Sequence, residues 1–156
     1  MTTAIEKAKE TLSAQIGERK EPTDWFEMTQ ERINQFADAT LDQQWIHVDP
    51  ERAKAGPFGA PIAHGQLTMS IMSFLPGGEG IGIPAVDGVK LGINYGWNKV
   101  RFPSPVPVGA KMRTSGMIKS VEIKGDMLEI VNELTLEIQG KDKPACVAES
   151  VLRLVF

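Results

Sequence analysis

The sequence predicts an α+β fold in which a buried helix is laid against an antiparallel β-sheet. Three observations predict it. Residues 66–75 are apolar almost throughout (Leu67, Met69, Ile71, Met72, Phe74, Leu75), too dense for a helix with one face in water. Four later segments, 90–102, 111–122, 128–139 and 146–156, are rich in Val, Ile, Leu and Thr. Turn-forming residues separate these segments at 103–109, 124–126 and 140–144, the spacing of strands joined into an antiparallel sheet of hairpins. An apolar helix and a one-sided sheet each need a partner, and they bury most surface against one another.

The elements follow in order. Ile5, Ala8, Leu12 and Ile16 recur at helical spacing among charged residues, so residues 3–17 read as a short amphipathic helix ending near Gly17. Its expected role is packing or a dimer edge. Trp25-Phe26-Glu27-Met28 reads as a short strand. Thr29 is placed to cap the helix that follows, whose apolar face is Ile33, Phe36 and Ala37. From Thr40 to Gly65 the pattern is irregular and punctuated by Pro50, Gly56, Pro57, Gly59, Pro61 and Gly65; within it, Asp49-Pro50-Glu51 starts a short helix through Ala55, because proline suits a first helical position. Pro76-Gly77-Gly78 stops the buried helix, and a glycine-rich connection runs to about Gly88. Alternation is clearest in 129–134 and 151–155. No internal repeat or domain boundary interrupts the chain, so residues 1–156 form one domain, with 1–20 as an N-terminal helical extension.

Composition excludes several function classes. A net charge of -3 carries no global footprint for nucleic acid, although a local basic patch for a phosphorylated ligand stays open. No apolar stretch approaches the ~20 residues of a membrane span, and the first residues lack the apolar run of a signal peptide. The single cysteine, Cys146, cannot form an intramolecular disulfide, which agrees with a reducing compartment. A cytoplasmic location is expected.

The chain has two histidines, His47 and His64, and both lie in the irregular segment, where a scaffold holds reactive residues on loops. Asp42 precedes His47 by one short stretch, a spacing compatible with a carboxylate and an imidazole converging on one small space. Two plainer roles stand beside this: Asp42 capping the turn after the helix, and His64 capping the buried helix or bonding a backbone carbonyl. Two histidines so far apart, with no cysteine near, do not make a metal-ligand set, and no metal is expected.

The flanking residues add a resemblance. Phe36-Ala37, Thr40, Asp42, Trp45-Ile46-His47, Asp49-Pro50 and Ala53, then Gly56-Pro57-Phe58-Gly59 and Pro61-Ile62-Ala63-His64-Gly65, resemble the hydratase motif of the MaoC-like dehydratases. Downstream, Asn94-Tyr95-Gly96, Asn98-Lys99-Val100-Arg101-Phe102 and Pro105-Val106-Pro107-Val108-Gly109 are similar to the NodN-like branch of that family. The resemblance runs from about Trp25 to Phe156. One departure is local: many relatives carry glycine before the aspartate, where this chain has Leu41, and glycine reaches backbone angles that leucine avoids.

The resemblance implies a single hot-dog domain, with 66–75 as the wrapped helix, and hydration of trans-2-enoyl-CoA to (R)-3-hydroxyacyl-CoA by a homodimer. It implies Asp42 and His47 as the pair that activates water, with the CoA thioester as substrate and no cofactor. Gly65, at the N-terminus of the wrapped helix, is the expected donor to the thioester oxygen. Ser73 stands where the family often has a hydrogen-bonding serine, though a buried helix serine also bonds the carbonyl one turn back. Lys99 and Arg101 leave one face of a strand, toward CoA phosphates in the family reading or toward solvent otherwise. Ile46 and Phe58, with Met69, Met72 and Phe74, are candidates for an acyl tunnel or for ordinary core. Two rivals remain open: a hot-dog thioesterase, which needs a polar or acidic residue on the wrapped helix, and a non-catalytic acyl-binding or assembly subunit. Chain length, the choice of CoA or acyl-carrier protein, and the acid and base roles within the pair are not legible.

Overall fold

The computed structural model describes residues 2–79 and 81–156; Met1 of the N-terminal extension and Gly80 of the glycine-rich connection lie outside the described residues. A two-residue strand, β1 (Phe26–Glu27), and four long ones, β2 (Leu91–Arg101), β3 (Lys111–Lys124), β4 (Met127–Ile138) and β5 (Cys146–Val155), build one curled antiparallel sheet in the order β1-β3-β4-β5-β2. Period-2 patterning explains β4, in which every second residue from Leu128 to Ile138 is buried. The β3–β4 hairpin closes at Gly125-Asp126, with Lys124 paired to Met127 and Gly125 at φ +65°, a conformation glycine adopts without steric cost.

The expected run of hairpins holds for β3, β4 and β5 but not for β2. That strand pairs with β5, on the edge opposite β1, so the chain after Arg101 must cross beneath the sheet to begin β3. The crossover carries Phe102 to Ala110 under the sheet, and its Val106 carbonyl accepts from the Ala63 N–H at 2.8 Å, while Val108 N–H donates to the Pro61 carbonyl at 2.9 Å. Topology thus lays the 102–106 segment against the irregular region that holds both histidines.

Five helices accompany the sheet: α1 (Ala4–Ser13), α2 (Gln30–Thr40), α3 (Trp45–Val48), α4 (Pro50–Lys54) and α5 (Gly65–Ile71). Thr29 caps α2 by accepting from the Arg32 N–H at 3.2 Å, and Asp49 caps α4, whose first residue is Pro50. The wrapped helix α5 is shorter than its apolar pattern. Its regular part ends at Ile71, and Met72 to Phe74 form turns, with Leu67, Thr68, Met72 and Leu75 turned inward and Phe74 65% exposed.

That shortness changes the part played by the N-terminus. Seven helical residues extend about 10 Å, against about 35–45 Å for strands of 10–14 residues. The core is accordingly in two parts. Around α5 pack Met28, Ile33, Met112, Leu134, Leu136 and Cys146. At the other end of the sheet, Ala8 and Leu12 of α1 pack on Ile118, Val121, Leu128, Ile130, Leu152 and Leu154. A capping box of Thr3 and Glu6 starts α1, and Gly17, Lys20 and Thr23 then donate backbone N–H groups to the β3 carbonyls of Ile118, Gly116 and Thr114. The extension is therefore part of the core. Burial pushes the Cys146 thiol up to about 11, which leaves it a small apolar filler.

Leu41 ends α2 in the left-handed region, at φ +67° and ψ +10°, the non-glycine residue with positive φ among the described residues. A β-carbon there crowds the following carbonyl at a cost of roughly 1–2 kcal/mol. The side chain is 84% exposed, so no packing compensates. Leu41→Gly is expected to stabilise the fold by about 1 kcal/mol after the added freedom of the unfolded chain is subtracted, raising the thermal midpoint by roughly 2–4 °C in calorimetry.

Candidate active site

The site is assembled by three consecutive pieces of the irregular region. The left-handed turn at Leu41 releases Asp42 from α2, α3 carries His47, and an extended stretch, residues 61–63, leads to His64 and the start of α5. Ile62 ties the pieces together. Its N–H donates to the Ile46 carbonyl at 3.0 Å, and its own carbonyl accepts from His47 Nδ1 at 2.7 Å. A carbonyl can only accept, so Nδ1 carries the proton and the neutral ring keeps its lone pair at Nε2. Gln30, in the first turn of α2, donates to the His47 carbonyl at 2.8 Å and fixes the backbone of α3.

His64, one of the two plainer possibilities read from the sequence, does bond a backbone carbonyl. Its Nε2–H donates to the carbonyl of Asp42 at 3.0 Å and lies 3.9 Å from Asp42 Oδ2. Its ring stacks on that of His47, with centroids 3.8 Å apart and planes 24° from parallel, and the Phe36 ring packs against it, tilted by 55°, at 4.9 Å. His64 Nδ1 is buried without a hydrogen-bond partner. One donor atom each of Asp42, His47 and His64 falls within 4.8 Å of the others. Metal ligation by these rings would need in-plane lone pairs converging on one point about 2.0–2.1 Å away. Nearly parallel stacked rings direct their lone pairs side by side, which is a poor fit to a tetrahedral ion.

Asp42 caps the turn, as one of the two readings made of it expected. Its Oδ1 accepts a long 3.3 Å bond from the Gln44 N–H, capping the turn, while the side chain stays 52% exposed and Oδ2 faces His64. His47 is buried. Burial holds its pKa below the ordinary 6.5 and the neighbouring His64 depresses it further, while the Ile62 carbonyl and Asp42 act in the opposite direction.

His47 opens on a cleft of about 350 Å³ lined also by Phe58, Ile62, Gly65, Thr68 and Phe102. Gly65 is the first residue of α5, where backbone N–H groups have no partner one turn earlier. A Cβ at Gly65 would sit 3.2 Å from the Phe102 ring, so glycine keeps the cleft open at this point. His47, Gly65 and Phe58 are thus brought to one cleft, with Asp42 beside it. Ile46 is half-buried and serves through its carbonyl.

Other candidates lie elsewhere. Ser73 follows α5 and borders a separate small cavity of about 20 Å³ with Asn94, Trp97, Asn132 and Ser150. The serine that bonds the carbonyl one turn back is Ser70, to Gln66. Lys99 projects from the solvent face of β2, where it and Lys119 share Glu149 Oε1 at 4.0 and 2.7 Å. Arg101 leaves the same face and immediately precedes Phe102 of the cleft wall. Met69 and Met72 pack in the core. Sequence reasoning left Thr68 and Phe102 of the cleft wall out of the site, and with them His64. Its signals were its rarity in the chain and its place before Gly65, but stacking on His47 has no signature in spacing.

The family described as "MaoC like domain" matches residues 11–139. Among curated proteins, 3-hydroxyacyl-thioester dehydratase Z of Mycobacterium tuberculosis (strain ATCC 25618 / H37Rv) is 51% identical over 145 residues, covering 92% of this chain and 93% of that protein. Nodulation protein N of Rhizobium leguminosarum bv. viciae is 38% identical over 147 residues, covering 93% and 89%. Among solved structures, the (R)-hydratase from A. caviae involved in PHA biosynthesis superposes with a TM-score of 0.68 at 23% identity, covering 88% of this chain and 95% of that one. The MaoC-like dehydratase from Rhodospirillum rubrum gives a TM-score of 0.70 at 20% identity, with 90% and 92% covered. At these identities the two structures establish a shared hot-dog fold.

Because the folded His47 binds its proton less readily than the unfolded chain does, folding stability is full above pH ~6.5 and declines as the pH falls below it. Chemical-shift titration of the imidazoles is expected to place the His47 midpoint below 6.5. Denaturant unfolding is expected to show lower stability at pH 5.5 than at pH 7.5.

Proposed function

This chain belongs to the family of MaoC-like dehydratases, and from that premise we propose that it hydrates trans-2-enoyl-CoA reversibly to (R)-3-hydroxyacyl-CoA. The observation that carries the reading is the tautomer of His47. With Nδ1 committed to the Ile62 carbonyl, Nε2 offers a lone pair beside the cleft, and burial keeps the ring neutral near pH 7. The (R) outcome is taken from the printed name of the A. caviae relative in fold, and the thioester from that of the M. tuberculosis protein.

In this mechanism the thioester enters the His47 cleft with its carbonyl oxygen toward the N–H groups at the start of α5. Asp42 accepts a hydrogen bond from one water and orients it at the β-carbon. His47 Nε2 takes a proton from that water as the C–O bond forms. The electron pair of the double bond moves to the α-carbon and carbonyl oxygen, where the amides around Gly65 meet the developing charge. The imidazolium then returns the proton to the α-carbon, so one water is added and both side chains recover their starting states. A depressed pKa suits both halves: the ring is free to accept at neutral pH, and its protonated form is a stronger donor. Phe58 and Phe102 give the acyl chain an apolar wall, and Arg101, at the end of β2 next to that wall, is the side chain assigned to a CoA phosphate. No cofactor enters.

Helix α5, Gly65–Ile71, contains no acid, which speaks against a thioesterase that places a carboxylate on this helix. The edge strand β2 leaves a row of backbone groups unpaired and exposes Leu91, Ile93 and Tyr95, a surface suited to a second copy of the chain. No described helix is long and apolar enough to cross a membrane.

Asp42→Asn separates the two roles of this residue, because asparagine keeps the oxygen that caps the turn and loses only the charge. The variant is expected to fold normally and to lose on the order of 10²–10⁴ in kcat, followed as loss of enoyl absorbance. An Asn variant as active as the parent, or release of free thiol by the parent enzyme, would sink the reading. Sedimentation equilibrium is expected to report a dimer, and Ile93→Glu on the β2 edge to shift it to monomer.

A further inference from the structure

His64 is given no part in the hydration reading, yet it touches both members of the pair. One edge of its ring reaches Asp42 twice, donating from Nε2 to the carbonyl at 3.0 Å and facing Oδ2 at 3.9 Å. The face of the ring lies 3.8 Å from that of His47. The remaining nitrogen, Nδ1, is buried and unpartnered. An apolar side chain of similar size would avoid that orphaned acceptor, so packing alone does not account for an imidazole here.

Asp42 needs such support more than His47 does. His47 is held by Ile62, by Gln30 and by its own burial. Asp42 follows a strained leucine, its side chain is half in solvent, and its turn bond to Gln44 is long at 3.3 Å. The grip from His64 joins this loosely held loop to the rigid start of α5.

We propose that His64 is a positioning residue: its Nε2–H anchors the Asp42 loop and its ring face seats the His47 imidazole, so that carboxylate and imidazole keep one spacing across a shared water. The titratable groups facing His47 are His64 and Asp42. Among the others near by, Asp49 is turned to the Arg52 N–H, Asp38 to Gln43, and the Arg52 guanidinium lies over Trp45.

The inference rests on the hydration reading for its kinetic test, and two variants divide its parts. His64→Phe keeps a flat ring against His47 and loses the donor to Asp42; His64→Gln keeps an N–H donor and loses the ring. Each is expected to lower kcat on the order of 10–100-fold with little change in KM, as a misplaced acid–base pair does. An independent readout needs no substrate. The chain has two histidines, so each variant shows a single imidazole, that of His47. In His64→Gln its titration midpoint is expected to move up from the parent value, because a neighbouring imidazole and part of the burial are lost. Folded variants with parental kcat, or a His47 midpoint in His64→Gln equal to the parent's, would overturn the proposal. If the parent chain itself lacks hydratase activity, the hydration reading fails, while the titration still decides whether His64 sets the environment of His47.

Discussion

The candidate site depends on the short extended stretch at residues 61–63. It is clamped on two sides: Ile62 exchanges bonds with the turn that carries His47, and Pro61 and Ala63 bond the crossover at Val108 and Val106. Those bonds do three things together. They choose the tautomer of His47, bring the 102–106 segment down as a wall of the cleft, and aim the chain into α5 with Gly65 at its start. Proline at 61 has no N–H to leave unsatisfied, and its carbonyl is used by Val108. A region that looks structureless by its Gly and Pro content is, by its hydrogen bonds, among the most constrained parts of the chain.

How much could be read in advance follows from the range of each interaction. Strands were legible because alternation is local; β4 keeps it for its full length, and the four long strands differ from the expected segments only at their ends. The cap at Thr29 and the helix start at Pro50 were legible for the same reason. The place of β2 was not, since a strand's neighbours are chosen by topology and its sequence is equally apolar at either edge. The length of α5 was overread because apolar density marks burial, and Met72 and Leu75 are buried in turns as well as they would be in a helix. The spacing of Ala8 and Leu12 marked a packing face, but not that a seven-residue α5 leaves the far end of the sheet for that face to cover.

Within the site the same division holds. Asp42, His47 and Gly65 were singled out because a motif places them at fixed intervals, and Phe58 as an apolar candidate, whereas Phe102 reaches the cleft wall only through the crossover. The relation between His47 and His64 belongs to three-dimensional packing. Two rings are pressed face to face, each with one nitrogen committed to a carbonyl, with Phe36 packed against His64. The arrangement resists protonation of His47, for burial and a second imidazole both oppose the charge, and that is the condition a base must meet at neutral pH.

Two breaches of the local rules of protein architecture flank Asp42. On one side Leu41 holds a backbone conformation that side chains avoid; on the other, His64 buries a nitrogen with nothing to bond. Each costs stability, on the order of 1–3 kcal/mol for strain or an unsatisfied buried group. The exposed Leu41 side chain has no packing to offset its strain, and His64 Nδ1 has no hydrogen-bond partner. The left-handed turn is what frees Asp42 from the end of α2 and turns it toward the histidines, and the imidazole is what catches it there. Breaches of this kind persist where the surrounding structure over-determines them, and here the clamp at Ile62 supplies that surplus. The strain and the clamp are therefore one design: the rigid half of the site, built on Ile62 and His47, holds in place the costly half that presents Asp42.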